Sequence, residues 1–393
     1  MSPTPSSTPT SAYYTVDIRS DTVSLPTAEM RQAMFEAKVG DDVYGEDPTI
    51  LELEKKSALL FAKEAALFVP SGTMANLLAI MVHCHRRGTE AIVGDLSHTF
   101  LYEQAGAAQI AGVQLATIKN KTDGTFCLRE MQHKMRLYDD CHEPVTTLVI
   151  VENTHNMCGG KVLPLEWLNE LAGICKNTAK TNGKKIALHM DGARVFNAAA
   201  HLKVPVSQIT KDFDSVCFCL SKGLSAPVGS VLVGTKAFIS EARHLRKVLG
   251  GGMRQCGILA AAGLVALETI VPRLTGDHER TKRIAEALHN LHSPNFTVDL
   301  ENVHSNILLI HMVNPKIAAS DFAKRLGEVT TQELQDGLTT TTDDGNRAIV
   351  LKVSARDWAY ARIVLYHQIT DKDIDYTIRK FEYVIKEFDG LLS

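Results

Sequence analysis

The chain has 393 residues, of which 45% are hydrophobic, and 42 lysines and arginines stand against 45 aspartates and glutamates for a formal net charge of −3. At roughly 100–200 residues per domain this length predicts two domains, each able to bury a core. The ordinary composition excludes a disordered, collagenous or coiled-coil chain. The balanced charge excludes a molecule steered as a whole onto nucleic acid or an anionic membrane, which leaves a small molecule as the expected partner.

Residues 1–12 are rich in Pro, Ser and Thr, with no Arg and no apolar core, and read as a disordered tail rather than a secretory signal or transit peptide. From 13 to 269 short apolar runs alternate with stretches of helical period, the pattern of βαβ units around a mostly parallel sheet buried on both faces. Strands are predicted at 66–69, 91–93, 113–118, 147–151, 186–190, 215–220 and 230–233, and helices at 51–61, 73–83, 165–178 and 257–268. The fold class is α/β: a large domain with a mostly parallel seven-stranded sheet flanked by helices. From 270 to 393 the pattern changes to a helix, strands near 306–312, 349–353 and 363–366, and a closing helix from Asp371. Ile374, Ile378, Phe381, Ile385 and Phe388 give that helix one apolar stripe. This is a smaller α+β domain, with Asp344-Gly345-Asn346 marking a turn. The longest small-apolar stretch, 257–267, falls short of the roughly 20 residues that cross a bilayer, so no membrane segment is expected. Eight cysteines without a CxxC pair fit the reduced thiols of a cytoplasmic protein.

Three strand ends carry the chemistry. An apolar run closes on Ser221-Lys222-Gly223; a lysine where a buried strand opens into a loop is partly desolvated, which lowers its pKa and frees it for Schiff-base chemistry. Alone, a lysine before glycine reads better as a solvent-facing loop residue, since that pair is common in loops. A second run ends in Asp191-Gly192-Ala193-Arg194, where Asp191 alone could simply cap the next helix. A third is Pro70-Ser71-Gly72-Thr73 before a helical stretch, whose free N–H groups could hold a phosphate or merely receive an N-cap. It has neither the GxGxxG nor the GxxxxGK[ST] spacing of a nucleotide site. Ligands of open α/β sheets bind outside the carboxyl ends of the strands, so the three can converge. A phosphate cradle, an acid and a lysine are the anchors of pyridoxal phosphate.

Here the sequence resembles the threonine aldolases, within the aspartate-aminotransferase-like pyridoxal-phosphate enzymes. The motifs that carry it run nearly the whole chain: RSDTVSLPT from Arg19, DDVYGEDP from Asp41, PSGTMAN from Pro70, ENTHN from Glu152, HMDGAR from His189, LSKGLSAPVGS from Leu220 and GGGMRQ from Gly250. The resemblance implies Lys222 as the Schiff-base lysine, Asp191 as partner of the pyridine nitrogen, and Gly72 and Thr73 as the phosphate cradle. It places Arg254 near the phosphate, reaching in from a neighbouring subunit, so a homodimer or homotetramer with shared sites is expected. Ser20, Arg194 and Arg362 form the clamp for a substrate carboxylate, a task that suits guanidinium forks. His98 lies near the cofactor ring, and His155 is a second active-site histidine. The implied reaction cleaves the Cα–Cβ bond of a small amino acid, L-threonine or L-allo-threonine, to glycine and acetaldehyde, with His98 or a water it orients as base. No metal is implied.

One departure stands out. Where family members read Arg-x-Val-x-His, this chain has Arg362-Ile363-Val364-Leu365-Tyr366-His367, with tyrosine in the histidine's place. Tyrosine is a usable proton donor, so the alternative is a racemase of an amino acid such as alanine on the same scaffold; a second alternative is a catalytically inactive binding protein. His83-Cys84-His85 reads as a helix end meeting its dipole, and His244-Leu245-Arg246-Lys247 as a solvated helix face or subunit contact.

Overall fold

The computed structural model describes residues 12–341, 346–355 and 359–392. The expected tail, apart from residue 12, lies outside these, as do Asp344 and Gly345 of the expected turn. After an N-terminal strand, β1 (Tyr13–Asp17), come the strands of the large sheet: β2 (Ala65–Val69), β3 (Thr89–Gly94), β4 (Gln114–Ile118), β5 (Val145–Glu152), β6 (Ala187–Asp191), β7 (Ser215–Cys219) and β8 (Ser230–Gly234). They pair in the order β2-β8-β7-β6-β5-β3-β4, and β8 alone runs antiparallel to its neighbours. Every predicted strand of this sheet forms.

The apolar runs are continuous because both faces of the sheet are covered. On β7, Val216 and Phe218 enter the main core while Cys217 between them enters a second cluster on the other face. Phe218 stacks on Phe61 at 5.0 Å between ring centres and takes the edge of Phe196 at 5.3 Å, an arrangement that fixes the helices 48–60 and 195–202 against the sheet.

The smaller unit is built on β9 (Phe296–Thr297), β10 (Ile307–Met312), β11 (Ala348–Lys352), β12 (Ser354–Ala355) and β13 (Tyr360–Val364), four of which form an antiparallel sheet in the order β12-β13-β10-β9. The closing helix Asp371–Leu392 buries Ile374, Phe381 and Ile385, with Ile378 and Phe388 half-covered beside them, as the stripe predicts. The expected boundary at residue 13 needs correcting. β1 pairs in parallel with β11, from Tyr13 opposite Ala348 to Asp17 opposite Lys352, and Val16 and Ile18 are buried in the small unit's core. From β1, in the small unit, the chain crosses to the large one.

The return crossing is a helical run from Gly257 to Asn290, interrupted by wide turns at Ala266–Ile270 and a tight one at Val271–Arg273. By length and composition alone this run could cross a membrane, which the sequence stretch 257–267 did not suggest; half of its most apolar window is buried in the protein. Ala260, Ala262, Ile270 and Leu274 pack in the first core, and Ile284 and Leu288 in the second.

Candidate active site

The carboxyl ends of β3, β5, β6 and β7 open on a cavity of about 360 Å³ whose far wall is the small unit. Beyond β7 the backbone turns sharply at Lys222. Ser225, in the left-handed region at φ +63°, donates its N–H to the Lys222 carbonyl at 2.7 Å, and the Ser24 hydroxyl donates to it at 3.0 Å. Asp21 Oδ2 accepts the next N–H, from Gly223, at 3.1 Å. The lysine is thus held by the N-terminal segment as well as by its own loop. Burial lowers its pKa as the sequence suggests, but the sulfur of Cys219 and the carboxylates of Asp191 and Asp21 more than offset this, and the net shift is upward. The expectation of a lowered pKa is corrected because those neighbours stabilise the ammonium form.

Asp191 ends β6, fully buried. Burial opposes its charge, yet His98, Lys222, an Asn76 hydrogen bond at 2.9 Å and the Ala193 N–H at 3.1 Å hold its pKa below the usual carboxylate value. His98 opens a short helix capped by Ser97 and gives its Nδ1 to Glu103 Oε1 at 3.1 Å, while its backbone N–H reaches Glu152 at 2.7 Å. Burial disfavours the imidazolium, but Glu103 and Asp191 outweigh it, so the pKa lies above the ordinary histidine value.

The two arginines of the expected clamp differ. Arg194 is locked in a buried two-bond pair with Asp21, at 2.7 and 2.6 Å. Among the described residues Arg362 hydrogen-bonds only neutral oxygens, Asn156 Oδ1 at 2.8 Å and the Arg19 carbonyl at 3.4 Å. Its Nε is buried and has no partner among the described residues, and desolvation, with the like charge of Arg194 nearby, lowers its pKa.

Ser20, His98, Asp191, Arg194, Lys222 and Arg362 therefore line one cavity. Four expected residues are not among its lining. His155 is buried, with neither ring nitrogen hydrogen-bonded among the described residues and its backbone bridged to Lys161. Arg254 is exposed, pairing with Asp41 at 2.8 Å under the ring of Tyr44. Gly72 and Thr73 open the helix Gly72–His83, where Ser71 accepts only the Met74 N–H and leaves the first N–H groups for another acceptor. Two further expectations change. Arg246 is buried, donating to the Phe68 carbonyl and pairing with Asp42, not solvated. Tyr366 is buried outside the cavity lining, its hydroxyl donating to the Asp17 carbonyl at 2.8 Å, because the chain has left β13 and turned toward β1.

Sequence reasoning assigned no role to Asp21, Asn76, Glu103, Glu152 or Asn156. All but Glu103 lie inside a quoted motif, and Glu103 lies five residues after His98; what was missing was the set of partners, most of them far away in the chain. Glu152 joins two loops, taking the N–H groups of His98 and Asn156 at 2.7 and 2.8 Å, and Asn156 in turn holds Arg362.

These residues fit pyridoxal phosphate. A carboxylate held ionised in a buried place suits a protonated ring nitrogen, the lysine lies on the next strand end, and a Cβ on Gly72 would stand 2.8 Å from Cys219 Sγ, so only glycine lets the helix start approach this closely. The beta-eliminating lyase family profile matches residues 17–313. The chain belongs to this family, in its threonine aldolase group. Family members use pyridoxal phosphate, and this chain is a pyridoxal-phosphate-dependent lyase by membership. A probable low-specificity L-threonine aldolase of Arabidopsis thaliana is 45% identical over 372 residues, covering 94% of this chain and 97% of its own. The low specificity L-threonine aldolase of Escherichia coli K12 is 44% identical over 304 residues, 77% of this chain and 86% of its own. Among solved structures, a putative L-allo-threonine aldolase of Listeria monocytogenes superimposes with a TM-score of 0.73 at 20% identity, over 91% of this chain and 93% of that one, and supports the fold.

Proposed function

We propose that this protein cleaves L-threonine or L-allo-threonine to glycine and acetaldehyde by breaking the Cα–Cβ bond. The observation that carries this reading is Arg362: a half-buried guanidinium without a carboxylate partner among the described residues, across one cavity from Lys222 and His98. An amino-acid carboxylate supplies the missing acceptor. The relatives' names and the family membership agree with it.

Bound pyridoxal phosphate supplies the electron sink that makes a bond at Cα breakable. Lys222 would hold it covalently, Asp191 would pair with its ring nitrogen, and the free N–H groups of Gly72 and Thr73 would take the phosphate. Arg254 completes that end from a second copy of the chain, since in its own chain it points to Asp41 at the surface; a homodimer or homotetramer follows. Arg362 and Ser20 grip the substrate carboxylate, and Arg194, fixed by Asp21, adds its charge beside them. With Nδ1 engaged by Glu103, His98 has Nε2 available to accept the β-hydroxyl proton, and Glu103 and Asp191 stabilise the resulting imidazolium. His155 acts through the loop it shares with Asn156. Eight free cysteines, six of them buried, support a cytoplasmic location.

The racemase alternative loses its motive, since Tyr366 is committed to Asp17. Incubating the loaded protein with L-threonine and, separately, L-alanine tests the choice. Acetaldehyde and glycine from L-threonine are expected; D-alanine without acetaldehyde contradicts the proposal.

A further inference from the structure

Behind Asp191, between the helix Gly72–His83 and the large sheet, runs a line of polar side chains in an otherwise apolar layer. The Asn76 Nδ2 amide donates to Glu103 Oε1 at 2.8 Å and to Asp191 Oδ2 at 2.9 Å. Asn76 Oδ1 lies 3.0 Å from His189 Nε2 and accepts from Cys217 Sγ at 3.1 Å. His189 Nδ1 lies 2.8 Å from the Ser215 hydroxyl, and the same hydroxyl lies 2.8 Å from His83 Nε2. Asn76, His189 and Ser215 are at most 1% exposed. Desolvating three such groups is costly unless every bond is made.

The direction of these bonds follows from the inventory of donors. Asp191, held ionised, accepts and cannot donate, and Glu103 Oε1 takes the same amide although burial raises the Glu103 pKa, so Asn76 turns its NH2 toward them and its oxygen toward His189. His189 then carries its proton on Nε2, and its Nδ1 accepts from Ser215. Ser215, having donated, accepts from His83 Nε2. Burial holds both rings neutral, lowering His189 to about 4 and His83 to about 3, so each has one proton to place. A single orientation satisfies all four residues, and in it every donor points toward Asp191 and Glu103. The other groups facing Asp191 are the charges of His98 and Lys222, the Glu103 carboxylate and the Cys217 thiol; those facing His83 are His189, Asp214 and Lys185.

We propose that Asn76 is a positioning residue, the head of an oriented chain from His83 through Ser215 and His189, which fixes Asp191 and the His98–Glu103 pair relative to one another and keeps Asp191 the carboxylate that receives the cofactor's ring nitrogen. The chain acts on the cofactor through Asp191, with no contact to the substrate, and rests on the cofactor site proposed above. Ser215 is the discriminating position, because it touches neither carboxylate and does not line the cavity.

The test compares wild type, Asn76→Ala, Ser215→Ala and Ser215→Thr by pyridoxal phosphate titration, by the pH midpoint of the loaded protein's visible absorbance and by thermal unfolding without the cofactor. Asn76→Ala is expected to weaken cofactor binding roughly tenfold or more, and Ser215→Ala about three- to fivefold. Both should move the absorbance midpoint, and Ser215→Thr, which keeps the hydroxyl, should restore it. If Ser215→Ala lowers only the unfolding temperature and leaves affinity and midpoint at wild-type values, the chain is structural and the proposal falls, even where Asn76→Ala does not fold. A wild-type protein that develops no visible band with pyridoxal phosphate overturns the cofactor site itself, and the positioning role with it.

Discussion

At the Asp191 end of the cavity the polar groups are already matched: the carboxylate takes bonds from Asn76 and the Ala193 N–H, and Asn76 is matched in turn by Glu103 and His189. At the Arg362 end, among the described residues, the guanidinium meets only an amide oxygen and a backbone carbonyl, and its buried Nε has no partner. Both ends are shielded enough for an unmade bond to be costly; what separates them is residence time. A cofactor that stays bound is served by a rigid, satisfied seat. A substrate that comes and goes gains affinity from an atom left without its bond, because the ligand then relieves a standing desolvation cost.

The sharpest way to break this comparison is to exchange the behaviour of the two arginines. Asp21→Ala leaves Arg194 as an unpaired buried charge and should cost about 3–5 kcal/mol of stability, read as a large drop in the urea unfolding midpoint. Arg362→Met removes a cation that has no carboxylate partner among the described residues. It should raise KM for L-threonine roughly ten- to a hundredfold while leaving the unfolding midpoint unchanged or higher. If it destabilises as much as Asp21→Ala, Arg362 is a structural residue.

A pH series sharpens the contrast between the site and the seam around it. His278, bonded to Asn197 Oδ1 at 2.8 Å, and His304, stacked on His201 at 4.5 Å, lie where the units meet and are lowered by burial to about 4. The unfolded chain binds these protons from about pH 6.5 downward and the folded protein only near 4, so stability is full above about 6.5 and declines as pH falls toward 4. His278→Gln should flatten part of that decline in thermal unfolding; an unchanged slope would remove His278 from it. The smallest effect belongs to Tyr366→Phe, which loses one hydrogen bond to Asp17. It should cost about 1 kcal/mol and leave the ratio of acetaldehyde to D-alanine untouched; a changed ratio would return Tyr366 to the chemistry.

The large sheet was legible because a strand buried on both faces is a continuous apolar run, as in Val216-Cys217-Phe218. β1 was not foreseen, because Tyr13–Asp17 shows neither an apolar run nor an alternation, and the bound at residue 13 put it with the large unit; its partner, β11, lies near the other end of the chain. The site was legible at Lys222, Asp191 and Arg194, where strand, turn and residue type coincide within one short segment. Asp21, Asn76 and Glu152 work through partners distant in sequence, and no local pattern distinguishes the carboxylate that locks an arginine from one that caps a helix. The same limit explains His83, which reads as a helix end and turns out to start a buried chain of hydrogen bonds.

The proposed cofactor site depends first on the amine of Lys222, which would hold the cofactor covalently. Borohydride reduction of the pyridoxal-phosphate-loaded protein, followed by mass mapping of its peptides, tests it most directly. A single pyridoxyl adduct on Lys222 is the predicted result; an adduct on another lysine, or none, would contradict the account.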